Sequence, residues 1–127
     1  MTSATDEIQN LVLLAAAAAD DKKANDVIVI DVGDVFAVSD YFLIASGSNP
    51  RQVNAIVDGI EERLARDGGP KPLRIEGKEE REWVLMDYGP FVVHVFHQVQ
   101  RYFYQREKLW GDRPRLDWEP LRTPEAG

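Results

Sequence analysis

The chain has 127 residues, no cysteine, and 15 Lys+Arg against 22 Asp+Glu, for a formal net charge of −7. That length predicts one domain with a short tail and a core that needs no staples, and the missing thiol excludes both a disulfide framework and a thiolate metal site. Cations are scattered among acids, as in Glu76-Gly77-Lys78-Glu79-Glu80-Arg81-Glu82, so direct DNA binding is not expected and a basic protein surface is the better electrostatic match.

At the N-terminus, Met1-Thr2-Ser3-Ala4-Thr5-Asp6 lacks the basic and apolar segments of a secretory signal. No stretch approaches the ~20 apolar residues that cross a bilayer. The expectation is a soluble cytoplasmic protein without a membrane partner. Residues from about Thr5 to Asp21 predict a helix with Ile8, Leu11, Val12, Ala15 and Ala19 as its apolar stripe and Ser3 or Thr5 as cap. Val27-Ile28-Val29-Ile30 reads as a short buried strand, and Asp40-Tyr41-Phe42-Leu43-Ile44-Ala45 as a second one. Asn49 then caps a helix with Pro50 at its first position and Gln52 where a capping box wants Glu or Gln. Val53, Ile56, Val57, Ile60 and Leu64 follow at helical spacing, and Gly68-Gly69-Pro70 stops the helix. A short strand near Leu73-Arg74-Ile75-Glu76 leads into the most informative segment.

That segment is Trp83-Val84-Leu85-Met86-Asp87-Tyr88-Gly89-Pro90-Phe91-Val92-Val93-His94-Val95-Phe96-His97. Two apolar runs around a Gly-Pro break predict an antiparallel hairpin. With Tyr88 opposite Phe91, Asp87 meets Val92, Leu85 meets His94 and Trp83 meets Phe96. Alternation then puts Val84, Met86, Tyr88, Phe91, Val93 and Val95 on a core face. The other face carries Trp83, Leu85, Asp87, Val92, His94 and Phe96, a mixture of aromatic anchors and polar groups suited to a partner. Helices over both faces, with Trp83 as ordinary core, is the competing reading. Val99, Tyr102, Phe103, Arg106, Leu109 and Trp110 suggest a last short helix. From residue 113 the chain reads as a Pro-rich, mobile tail. The order α-β-β-α-β-β-β-α implies an α/β (equally α+β) domain, one mixed sheet of about five strands with flanking helices and a right-handed crossover if the second and third strands pair in parallel.

Catalytic constellations are weak. Ser46-Gly47-Ser48-Asn49 could hold an anion at a helix start, but neither nucleotide-binding fingerprint is present. Asp58 with Glu61, and Asp31 with Asp34, are the carboxylate pairs available to a metal-dependent nucleotidyltransferase, the alternative function, and neither has the i, i+2 strand spacing that such a cage needs. His94 and His97 point to opposite strand faces and do not chelate one metal together. No cofactor, metal or catalytic residue is expected.

The succession Ser39-Asp40-Tyr41-Phe42, Ser46-Gly47-Ser48-Asn49-Pro50-Arg51-Gln52-Val53, Glu76-Gly77, Trp83-Val84-Leu85-Met86-Asp87-Tyr88-Gly89, Val93-His94-Val95-Phe96 and Tyr104-Gln105-Arg106-Glu107-Lys108-Leu109-Trp110 closely resembles the ribosomal silencing factor (Iojap-like) family over about residues 5 to 112. The resemblance implies a nucleotidyltransferase-like fold without the catalytic acids, and a non-enzymatic repressor of translation under nutrient limitation. It implies binding to the large ribosomal subunit through the ribosomal protein numbered fourteen, which blocks subunit joining. It also moves Trp83 to the exposed side as aromatic anchor, with Leu85 and Val92 as apolar area, Asp87 meeting a Lys or Arg of the partner, His94 as polar neighbour, and Glu76, Tyr88 and Gly89 at the rim. Asp40, Tyr41 and Arg51 match family motifs as a structural group, with Arg51 expected to bond Asp40. The mixed face could also form a homodimer when the protein is free.

Overall fold

The computed structural model describes residues 4–33, 40–99 and 115–119. The elements are helix α1 (Ala4–Asp21), strands β1 (Asn25–Asp31) and β2 (Tyr41–Gly47), helix α2 (Pro50–Arg66), and strands β3 (Arg74–Glu76), β4 (Trp83–Asp87), β5 (Phe91–His97) and β6 (Arg115–Leu116). The six strands form one sheet in the order β3-β4-β5-β2-β1-β6. The last helix expected from sequence lies, apart from Val99, outside the described residues, as do Ser3, Ser39 and the side chain of Thr5.

Helix α2 starts as its sequence dictates. The Asn49 side chain accepts the Gln52 N–H at 2.9 Å, and Pro50 sits in the first turn, where its missing donor costs nothing. Gln52 does more than a capping box requires. Its Oε1 accepts the Ser48 N–H at 2.6 Å, while its Nε2 donates to the Lys22 and Lys23 carbonyls at 3.2 and 2.8 Å. One side chain thereby ties the start of α2 to the end of α1. In α1 the expected stripe proves too narrow: Ala15, Ala16, Ala17, Ala18 and Ala19 are all buried. Five consecutive buried positions span every side of a helix, and only a methyl side chain lets neighbouring elements close in all round.

The sheet pairs β2 with β5 in parallel, Tyr41 opposite Phe91 through Gly47 opposite His97. The third strand therefore does not pair with the second, as the crossover expectation supposed. The reason is length and polarity: β3 is three residues with exposed Arg74 and Glu76 and suits an edge, whereas the seven-residue apolar β5 suits the centre. The tail also needs correction. Arg115 and Leu116 pair antiparallel with Ile30 and Val29, giving a sixth strand. Trp118 is buried, and its Nε1 donates to the Val27 carbonyl at 2.9 Å. Residues 115–119 are thus part of the domain, held by an aromatic that composition alone did not single out.

Both helices pack on one face of the sheet. The main core joins Val12, Ala15 and Ala19 of α1 and Val53, Ile56, Ile60 and Leu64 of α2 to Val29, Leu43, Val84, Met86, Phe91, Val93 and Val95 of the strands. A second, smaller cluster of Ile30, Val32, Ile44 and Phe96 occupies the opposite face, with Ile28, Phe42 and Trp83 packed against it.

Candidate functional site

The site is built on the second face, where β4 and β5 lie side by side. Their register is Trp83 opposite Phe96, Leu85 opposite His94 and Asp87 opposite Val92. The pairing derived from the Gly-Pro break is therefore observed. Val84, Met86, Val93 and Val95 turn to the helices and are fully buried. Gly77 sets the entry to this hairpin: its φ is +83°, and a Cβ there would collide with the Trp83 carbonyl oxygen. Any other residue would push Trp83 off its strand position.

Trp83 is half-buried, neither bare nor sealed under a described helix. Its ring stacks on Phe96 with centroids 5.1 Å apart, and its Nε1 donates to His94 Nδ1 at 3.1 Å. Indole is a donor only, so Nδ1 must be unprotonated and the neutral imidazole carries its proton on Nε2. That Nε2 is buried and, among the described residues, has no hydrogen-bond partner. Burial pushes the His94 pKa from 6.5 down to about 4. Leu85 and Val92 are half-buried beside this group, while Phe96 is fully buried beneath Trp83. Phe42, in line with Val92 across the β2–β5 pair, meets His94 edge-on at 4.8 Å. Sequence reasoning missed Phe42; alternation along β2 identifies it once β2 is known to lie against β5.

The polar end of the face lies at Asp87. Its Oδ1 accepts the Gly89 N–H at 2.8 Å, fixing a turn in which Gly89 has φ +90°. Its Oδ2 lies 3.4 Å from Arg74 Nε, and the same guanidinium lies 3.8 Å from Glu76. Arg74 thus takes, within the chain, part of the role expected of a partner cation. Two carboxylates share one guanidinium, so the rim stays net negative. Leu73, 73% exposed and leading into β3, is a large apolar residue at this rim that sequence reasoning passed over; its signal was a lone aliphatic in a stretch of proline and charge.

Two expectations change, the rim position of Tyr88 and the bond from Arg51 to Asp40. Tyr88 is no rim residue: its ring is buried on the helix side, stacked on Phe91 at 4.8 Å, because alternation gives it the same face as Met86. Burial, aided by the Glu61 charge, pushes its hydroxyl up to about 12. Arg51 and Asp40 are exposed, and no bond joins them among the described residues. Asp40 instead acts through its backbone, its N–H donating to Pro90 O at 2.7 Å and its carbonyl accepting from Val32 at 2.9 Å. Tyr41 is a buried core residue.

The remaining candidates stay apart. Asp58, on α2, pairs with Lys78 at 2.8 Å, and Asp31, on β1, accepts the Gly33 N–H at 3.0 Å; Asp34 lies outside the described residues. Among the described residues no group of three or more His, Asp or Glu could hold a metal ion, and no helix is long and apolar enough to cross a membrane. Two of the amides at the start of α2 that could receive an anion, those of Ser48 and Gln52, are taken by the Gln52 and Asn49 side chains.

Comparison with known proteins gives this arrangement a family. The model of the family described as ribosomal silencing factor during starvation matches residues 5–127. A ribosomal silencing factor of Bacillus subtilis is 44% identical over 109 residues, covering 86% of this chain and 92% of the relative. A mouse protein named mitochondrial assembly of ribosomal large subunit protein 1 is 32% identical over 91 residues, covering 70% of this chain and 40% of the longer mouse protein. A crystal structure from Bacillus halodurans superposes with a TM-score of 0.73 at 39% identity, covering 86% of this chain and 98% of that one. With its mixed sheet, its two helices on one face and its Trp83 hairpin on the other, the chain belongs to the ribosomal silencing factor family.

Proposed function

We propose that this protein binds the large ribosomal subunit through a basic ribosomal protein, the one numbered fourteen in bacterial nomenclature, and represses translation by keeping the small subunit from joining. The observation that carries the reading is the half-buried Trp83 on the sheet face opposite the helices, flanked by Leu85 and Val92 and bordered by Asp87 and Glu76. An aromatic anchor inside apolar area with a charged rim is how binding energy concentrates at protein interfaces. The net charge of −7 supports a basic partner and works against indiscriminate adhesion to RNA. Family membership supports the ribosome as the setting.

The action needs no chemistry. A bound domain fills space that the joined subunits require, and an interface of roughly 1,200–2,000 Å² suffices for specific docking. No observation favours nucleotidyl transfer: in the pairs weighed for it, Asp58 is bonded to Lys78 and Asp31 accepts the Gly33 N–H. Sedimentation tests the proposal: the protein should travel with free large subunits and deplete joined ribosomes, and Trp83→Ala should abolish both while retaining its circular dichroism. Normal subunit joining at saturating protein would refute it.

A further inference from the structure

The geometry points to His94 as a positioning residue for Trp83: its Nδ1 grips the indole N–H and holds the ring in the orientation that the partner meets, while the imidazole itself stays out of the interface. This deepens the partner-binding reading and rests on it.

Reach is the first argument. His94 is only 8% exposed, and its free nitrogen, Nε2, is buried, so a docking protein would find Trp83 and not the imidazole. Direction is the second. A ring nitrogen accepts along its lone pair, in the plane of the ring. That plane is set by aromatic neighbours: Phe42 abuts the imidazole edge-on, and Phe96 lies near-parallel to it, 10° apart with centroids 6.2 Å away. Phe96 also stacks on the indole at 26°. The acceptor is therefore aimed, and the 3.1 Å bond selects one orientation of Trp83 from the several that a half-exposed indole can adopt. Anchors held in their bound conformation lose less freedom on association.

Cost is the third. Accepting at Nδ1 obliges Nε2 to carry a proton that finds no acceptor among the described residues, and a buried unpaired donor destabilises a fold. A phenyl ring at 94 would fill similar space without that penalty. The imidazole is a poor choice for packing and a good one for orienting an indole N–H.

His94→Phe and His94→Asn separate these roles, since the Asn Oδ1 can stand where Nδ1 stands and the phenyl ring offers no acceptor. In His94→Phe the melting midpoint should hold or rise, and the Trp83 indole proton resonance, assigned with Trp83→Phe, should move upfield. Affinity for purified large subunits should fall roughly tenfold, the worth of one hydrogen bond. His94→Asn should restore the resonance and most of the affinity. A lowered midpoint in His94→Phe would make the imidazole a packing residue and overturn the inference, as would undiminished binding or a failed rescue. Trp83→Ala is the control on the underlying reading: if it binds normally, the site is wrong, whatever the His94 variants show.

Discussion

The two faces of the sheet solve different problems with the same strands. On the helix side, Leu43, Ala45, Val84, Met86, Val93 and Val95 are aliphatic and fully buried, each closed over by α1 or α2. The Leu, Val and Met side chains among them contribute about 1.5–3 kcal/mol each when buried completely. On the other side, Phe42 and Trp83 are half-buried, and a histidine replaces what could be another aliphatic. Here the Trp83 indole donates to His94 at 3.1 Å, and the buried His94 Nε2 has no partner among the described residues. Alternation along β4 and β5 sends neighbouring residues to these two environments, so adjacent positions should respond to mutation in different currencies: stability on one face, binding on the other.

The sharpest break of that contrast sets Phe91→Ala against Trp83→Ala. Phe91 is 1% exposed and stacked on Tyr88, so truncating it should lower unfolding free energy by about 3–5 kcal/mol in a denaturant titration. Trp83→Ala should cost only about 1–2 kcal/mol of stability, since its ring is already partly in water, while removing most of the affinity for large subunits. Equal losses of stability in the two variants would mean that the faces do not differ.

A smaller effect belongs to the imidazole. The unfolded chain protonates His94 below about 6.5, and the folded chain only below about 4. Between those values the unfolded state binds the extra proton, so stability falls as pH falls, by up to ~3 kcal/mol, and the contribution is fully spent below about 4. Carboxylates titrate in the same window, so the informative quantity is the difference between this chain and His94→Leu. The two stability curves should run parallel above pH 6.5, and below it this chain should lose up to ~3 kcal/mol more than His94→Leu as the pH approaches 4; curves parallel throughout would show an imidazole that protonates freely in the fold.

Much of this division was legible in the sequence, and the failures have physical causes. The hairpin faces followed from a period of two and one Gly-Pro break, because a register with one buried side tolerates no slip. The start of α2 followed from Asn49, Pro50 and Gln52, whose chemistry is local. What escaped was set by distant partners. The pairing of β2 with β5 joins segments about fifty residues apart, and no local pattern chooses it over pairing with β3. Tyr88 was placed at the rim by family resemblance although alternation had already assigned it to the core side, and alternation was right. Asp87 was expected to wait for a partner's cation, but Arg74 occupies the facing position on β3. Trp118 was lost in a Pro-rich segment, where composition outweighed one large aromatic.

Trp118 supplies the finest comparison, because it is Trp83's counterpart on the helix side. Both indoles are hydrogen-bonded, but to different kinds of acceptor: Trp118 Nε1 to the backbone carbonyl of Val27 at 2.9 Å, Trp83 Nε1 to a side chain. A backbone carbonyl in a strand is held by the sheet itself, so Trp118 is fixed wherever β1 is fixed. Trp118→Phe keeps most of the apolar bulk and removes the donor, which should cost about 1 kcal/mol. Because Val29 and Ile30 pair with Leu116 and Arg115, hydrogen exchange should quicken at β1 amides while those of β4 and β5 stay protected. Affinity for large subunits should not change. A loss of binding in Trp118→Phe would show that the two faces communicate through the sheet, and that the edge strand tunes the Trp83 surface from the far side of the molecule.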